Sequence, residues 1–243
     1  LNLQYKDYAV WLNESMRGEK FKISEQYWMS QFKGEIPVLN LPSFKLRSQI
    51  KTYNGNTLTH QFSKEFLEKL KTFSKEQDVT LFMTLMTGIN ALLFRYTGQD
   101  DIIIGTPIAG REHADLENQL GLYLNTLAIR THFRENNSFL DLLKAQKMLL
   151  SEAFEHQDYP FDLLVDKLNL KRDISRSPLF DVMVVLQNQE QLSNINNEEL
   201  IDIEVNEYGF SRKTSQFDIR FAFCEKEGLE LMIDYNTDIY DVY

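Results

Sequence analysis

The stretch EHQDYPFDLLVDKL, residues 155–168, gathers a histidine, three aspartates, a tyrosine and a proline. His156 beside Asp158 or Asp162 has the residue types of a general base and the carboxylate that orients it. The same residues also fit a corner between two helices. His156 would end an amphipathic helix, where exposed carbonyls and the negative dipole end favour an imidazole. Pro160 fits the first turn of the next helix, where a missing N–H costs nothing. Asp162 falls in that turn, where a carboxylate is favoured. Phe161, Leu164, Val165 and Leu168 would form its buried stripe; Asp166 is the third aspartate of the stretch. Each residue has a structural task, so the corner is preferred to the catalytic cluster.

Other stretches offer chemistry of different kinds. GTPIAGR, residues 105–111, sets two glycines after a strand, but it has no Walker-type lysine and no helix pattern directly after it. Gly105 and Gly110 are expected to let the backbone turn rather than to cradle phosphate. In LYLNTLAIR, residues 122–130, a period of two puts Tyr123, Asn125, Leu127 and Ile129 on one face. Asn125 is the fully polar member of that row, and a buried amide must find partners. It bonds a neighbouring loop, or it holds a polar substrate group such as an amide or a carrier arm. In SQFDIRFAF, residues 215–223, Phe217, Ile219, Phe221 and Phe223 share a face, and Asp218 and Arg220 share the other. A structural ion pair, between them or with a neighbouring strand, is the expected use. Ser215 and Gln216 stand at the mouth of that strand, where site residues often sit. His60, His113, His132 and His156 are scattered without metal-ligand spacing. There is no G-x-S-x-G elbow for a serine hydrolase.

The elements that must position these residues can be read from the pattern. The chain has 243 residues, 43% hydrophobic and 26% charged, with a net charge of −10. That length holds one large core, and the acidity speaks against a nucleic-acid surface. A single cysteine, Cys224, leaves no internal disulfide and too few thiolates for a cysteine-built zinc site, so a reducing cytoplasm is the simplest compartment. Charges interrupt every apolar run near the start, so no signal peptide or membrane span is expected there. The first residue is Leu1, which suggests a processed chain or an excised piece. Residues 5–33 read as mostly helical, and 34–56 as an extended connector with two prolines. Ser63, Thr80 and Ser138 are helix N-caps. LFMTLMTGINALLFRYTG is apolar nearly all round and is expected to be buried on several sides. Three strands close the chain, with the polar QEQLSNINNEEL as a loop between the first two. The pattern predicts an α/β fold, a mixed β-sheet flanked by helices, as a single domain over residues 1–243.

Four ordered stretches together resemble the condensation domain of nonribosomal peptide synthetases. YKDYAVWL resembles the family's Y-x-D-F/Y-A-V-W, and LGLYLNTLAIR resembles I-G-x-F-V-N-T-x-x-x-R, with Leu120 and Tyr123 as departures. HQDYPFDLLVDKL resembles H/N-Q-D-x-P-F-E, and RDISRSPLFDVMVVLQN resembles R-D-x-S-R-x-P-L-F. The family signature H-H-x-x-x-D-G is absent: no two histidines are adjacent. Such domains are similar to chloramphenicol acetyltransferase, with two lobes in a V, and the signature belongs to the N-terminal lobe. The chain therefore looks like the C-terminal lobe alone.

The resemblance implies amide bond formation, in which an acceptor amine attacks a donor thioester. Both substrates would ride on 4′-phosphopantetheine arms of carrier domains, with no cofactor held directly. The implied partners are the N-terminal lobe of the same domain, the carriers and an adjacent adenylation domain, with no nucleic acid and no membrane. Catalytic residues are expected in the other lobe, none here. The lobe would supply half of a tunnel, with Asn125, Tyr123, Ser215 and Gln216 as candidates for its polar face. A loop beneath the active site would fall near GTPIAGREHADLENQLG, and a segment clasping the other lobe between QNQEQ and EYGFS. An epimerization-domain lobe and a non-catalytic carrier-docking module remain alternatives; a stand-alone CoA-dependent acyltransferase is a more distant one.

Overall fold

A computed structural model describes residues 4–43, 45–111, 113–117, 119–134, 136–171, 173–187 and 213–241. The clasping segment expected between QNQEQ and EYGFS lies almost wholly outside these residues. The elements run α1 (Tyr5–Ser15), α2 (Glu19–Gln31), β1 (Gly55–Phe62), α3 (Lys64–Glu76), α4 (Leu81–Thr97) and β2 (Asp101–Ile108). They continue as α5 (Ala114–Glu117), β3 (Asn125–His132), α6 (Phe139–Glu155), α7 (Phe161–Leu168), β4 (Val182–Gln187), β5 (Ile219–Glu225) and β6 (Leu229–Asn236).

Local chemistry sets the helix ends. The hydroxyls of Ser63, Thr80 and Ser138 accept from the third N–H of α3, α4 and α6, and Asp141 reciprocates to Ser138. Gly98 ends α4 at φ 67°, a left-handed conformation that glycine adopts without strain. Eight residues of α4 are buried, as its apolar circumference requires, and α4 packs on α3, α6 and the sheet.

The six strands form one mixed sheet in the order β1-β6-β5-β4-β2-β3. β4 runs parallel to β2 and β5; the other neighbours are antiparallel. β3 and β1 are therefore opposite edges. β3 begins at Asn125, so Tyr123 precedes the strand rather than sharing its alternation. Leu127, Ala128 and Ile129 are all buried in succession, because helices or loops cover both faces there.

Gly105 is a correction. It lies inside β2, paired with Ala128, and makes no turn. A Cβ there would stand 2.1 Å from the Phe180 ring, so the missing side chain is the seat of that ring. The chain reaches Phe180 through Leu179 at φ 65°, an uncommon backbone for a bulky residue. Gly110, at φ 62°, does turn the chain.

Buried ion pairs fasten the end of the sheet where β4 and β5 begin. Arg176 meets Asp181 at 2.5 Å, and Asp181 also accepts from the Ser177 N–H at 3.0 Å. Arg47, from the connector, grips both oxygens of Asp218 and donates to the Ser175 carbonyl. Arg220 pairs instead with Asp234 on β6, its Nε at 2.7 Å. Asp218 and Arg220 thus make separate structural pairs. Burial pushes the Asp218 carboxyl up, against the pull of the Arg47 guanidinium.

Arg47→Met should therefore cost about 3–5 kcal/mol at neutral pH, because it leaves a buried charge uncompensated. A carboxyl whose folded value is raised favours the folded state below the ordinary carboxylate range, and that advantage is lost as pH rises through the raised value. The gap between variant and parent should narrow on acidification. Urea unfolding at pH 7 and near pH 4 reads both numbers; an equal gap at the two pH values contradicts the assignment.

Candidate functional site: a cleft beside the helix corner

His156 caps α6, and α2 holds it in place. Its Nδ1 lies 3.1 Å from the Ser24 hydroxyl, and its carbonyl accepts from the Trp28 indole at 2.9 Å. Its ring stacks on Tyr27 at 4.3 Å between centroids. Burial, with the carboxylates of Glu152 and Glu155, raises the Tyr27 phenol, so that ring stays neutral. Asp158 turns outward to Lys20 at 2.7 Å. Tyr159 is buried against Phe21, and burial with the Glu25 charge pushes its phenol up to about 12. The partners of the imidazole are thus a hydroxyl and an aromatic ring of α2, and the ring is committed to packing. This geometry is that of a corner.

Asn125 locks the corner from the other side. Its amide donates to the carbonyls of Gln157 and Tyr159, each at 2.8 Å. Its oxygen accepts from the Phe161 N–H at 3.1 Å and from Thr126 at 2.8 Å. Four bonds use the amide's two donors and both lone pairs. The start of β3 is thereby tied to the end of α6 and the first turn of α7.

Tyr123 organises the loop before β3. Its hydroxyl donates to Gln119 at 2.7 Å, and the Arg111 guanidinium lies over its ring at 4.3 Å. Tyr5 and Tyr8 of α1 meet that ring edge-on at 5.4 and 4.7 Å. Gly110 approaches so closely that a Cβ would stand 2.0 Å from the Tyr123 carbonyl. Within GTPIAGREHADLENQLG, the first four residues belong to β2, and the other described residues form this loop, with α5 as a single turn.

Loop, α1 and corner enclose a cleft of about 940 Å³. Tyr123 and Asn125 line it together with Tyr5, Tyr8, Trp11 and Pro160. Ser215 and Gln216 do not. Ser215 is buried where β5 begins, its N–H donating to Tyr53 at 2.9 Å and its hydroxyl to the Phe217 carbonyl at 2.6 Å. Asn125 stands on the opposite edge strand, where β2 ends. The structure brings two of the four candidates together and leaves the other two across the sheet.

The sequence reading quoted Arg130 at the end of LGLYLNTLAIR but gave it no role. It is buried, meets Asp101 at 2.6 Å and donates to the carbonyls of Gln31, Lys33 and Glu35. It fastens edge strand β3 to the chain leaving α2. The available signal was a charged residue directly after the apolar run Leu127–Ile129, five residues after Asn125. Among the described residues no group of three His, Cys, Asp or Glu side chains could hold a metal ion. No single described helix is long and apolar enough to cross a membrane.

Residues 1–242 match the Condensation domain family. The chain belongs to the condensation domains. It is 42% identical over 241 residues to bacitracin synthase 1 of Bacillus licheniformis, covering 99% of this chain and 4% of that protein. It is also 41% identical over 241 residues to gramicidin S synthase 2 of Brevibacillus brevis, covering 99% and 5%. The chain therefore spans only a small part of these relatives. A solved four-domain nonribosomal peptide synthetase bound to AMP and glycine superimposes with a TM-score of 0.85 at 23% identity, over 94% of this chain and 18% of that one. The condensation domain of the Monacolin K polyketide synthase MokA gives 0.82 at 19% identity, over 97% of this chain and 56% of that one. The mixed sheet with flanking helices thus follows the chloramphenicol-acetyltransferase-like fold of condensation domains.

Asn125→Leu in this condensation-domain chain should lose about 2–4 kcal/mol, since it strips several partly buried backbone groups of partners. Hydrogen exchange at Phe161 should accelerate with it. An unchanged Phe161 amide would show that the corner holds without the side chain.

Proposed function

We propose that this chain is the C-terminal lobe, residues 1–243, of a nonribosomal peptide synthetase condensation domain. The complete domain joins a donor aminoacyl or peptidyl thioester to an acceptor amine, both carried on 4′-phosphopantetheine arms. The observation that carries this reading is the end-to-end family match of a chain in which no two histidines are adjacent. The H-H-x-x-x-D-G motif then belongs to the companion lobe, and this lobe supplies a wall.

The chemistry makes that division workable. An amine is a good nucleophile and a thioester a good electrophile, so holding two tethered arms in line supplies much of the rate. The acceptor nitrogen forms the new C–N bond, the thiolate leaves on the donor arm, and a proton passes from nitrogen to base. A positioned base contributes roughly 10²–10⁴-fold. Here the Asn125 amide is spent on the corner and the Tyr123 hydroxyl on Gln119. Both are positioning residues that fix the shape of the wall. Ser215 and Gln216 would serve the opposite end of the sheet. Carrier domains and an adenylation domain are the partners of the whole enzyme, and the cytoplasm is its compartment.

The chain alone, mixed with loaded donor and acceptor carriers, should give no dipeptide above the uncatalysed rate. Product at the rate of a complete condensation domain refutes the reading. Inside the complete synthetase, His156→Ala should lower stability by about 1–2 kcal/mol, by loss of packing and of the Ser24 contact, while turnover stays within about tenfold. Abolished turnover with intact melting and carrier binding would instead make His156 a catalytic residue.

A further inference from the structure

Lys51 is a third cation at the head of β4 and β5, beside Arg47 and Arg176. The two carboxylates there are already gripped, Asp218 by Arg47 and Asp181 by Arg176. The Lys51 ammonium donates instead to the Ser177 hydroxyl, and it lies 5.6 Å from the ring centroids of both Tyr53 and Phe217. Its backbone N–H donates to the Ile174 carbonyl at 2.9 Å, which fixes this part of the connector against the chain before β4.

The frame around this amine is apolar and open to solvent. Ile50, Ile174 and Tyr53 are 66%, 60% and 56% exposed, while Lys51 itself is only half-buried. A lysine head ordinarily reaches past such a surface into water. Here a hydroxyl and two rings hold it back among apolar groups. Burial keeps the ammonium below the ordinary lysine range, with the Arg47 charge adding to the effect, against the pull of Asp181 and Asp218. A desolvated lysine carries more free amine near neutrality than an exposed one, and the free amine is the nucleophile.

We infer that Lys51 is an acylation site, at which a thioester bearing an apolar acyl group transfers that group to the side-chain nitrogen. The free amine attacks the thioester carbonyl carbon. A C–N bond forms, the C–S bond breaks, and the thiolate leaves and takes up the proton that nitrogen loses. The Ser177 hydroxyl stands where it can relay that proton. No oxidant, metal or further reactant is needed. The product amide is neutral, so it gives up the contact of a cation with the Tyr53 and Phe217 rings. A supply of acyl thioester beside this chain rests on the functional reading above; the reactivity of Lys51 does not.

The chain is to be incubated in mildly alkaline buffer with the hexanoyl thioester of N-acetylcysteamine, and amide formation at each lysine followed by peptide mass spectrometry. Lys51 should react at least fivefold faster than the exposed Lys33 and Lys64. Unfolding the chain in urea should abolish that lead. The acetyl thioester should narrow it severalfold, since a short acyl group covers less of the apolar frame. Lys51→Arg should remove the fast phase and leave the other lysines unchanged. Equal rates at Lys51 and the exposed lysines overturn the inference. So does a lead that survives unfolding, which would assign the reactivity to local sequence rather than to the folded cluster. A lead equal for acetyl and hexanoyl overturns the apolar acyl group as the preferred substrate. Because the probe is a free thioester, each of these outcomes leaves the functional reading where it stood.

Discussion

The Asn125 amide sits at the junction of an edge strand, a helix end and a helix start. Two stretches far apart in the chain meet there, the start of β3 and the turn from α6 into α7, and the turn brings polar backbone groups that need partners. The first N–H groups of a helix have no intrahelical partner. The Phe161 N–H is such a group, the Gln157 and Tyr159 carbonyls lie in the turn before it, and one side chain serves all three. A carboxylate could not donate to the two carbonyls, and an ammonium could not accept from Phe161. Asparagine is the short side chain that does both. From this junction the order spreads outward: the corner fixes His156, His156 engages Ser24 and Trp28, and α2 is held against α7.

A second set of constraints works at the far end of the sheet and is electrostatic. Arg47, Arg176 and Arg220 enter partly buried surroundings and each finds a carboxylate. Two of them also reach backbone carbonyls, Arg47 to Ser175 and Arg176 to Leu39. Breaking such a pair costs more than its formation contributes, because the remaining charge stays desolvated. These pairs therefore act as devices of specificity. The Arg47 and Arg176 contacts tie the connector to the head of β4 and β5, and the Arg220 pair joins β5 to β6.

Much of the fold was legible because it rests on local rules. Ser63, Thr80, Ser138 and Gly98 mark helix ends by their own chemistry, and α4 announces its burial by an apolar circumference. The corner at 155–168 was legible for the same reason: histidine, proline and aspartate each fit a position relative to a helix end. What could not be read was pairing across distance. Gly105 looked like a turn residue because its reason for being glycine is the Phe180 ring, seventy-five residues later. Asn125 stood out as polar in an apolar row, but whether its partner was a loop or a substrate depended on where residues 157–161 lie. Ser215 and Gln216 shared a strand mouth with site residues by analogy alone. The antiparallel and parallel pairings then set them on the other side of the sheet. Arg130 was given no role because its carbonyl partners, at the end of α2 and in the irregular chain after it, could not be placed from sequence.

The two ends of the sheet differ in what they leave undone. At the head of β4 and β5 the arginines are paired and desolvated, and the connector closes over them. At the cleft the polar groups are satisfied internally, by Asn125 and by Tyr123 with Gln119, while Leu120, Leu122, Leu124 and α1 stay uncovered. A surface with its hydrogen bonds already made and its apolar area still wet gains from association chiefly by losing water. Reactive groups on this wall would have to compete with that packing for position, whereas a wall that contributes only shape and field can be rigid. The absence of adjacent histidines here and the saturation of the Asn125 amide are therefore consistent with one division of labour. On the proposed reading, this half shapes where tethered substrates can stand, and the proton-handling group is left to the other half.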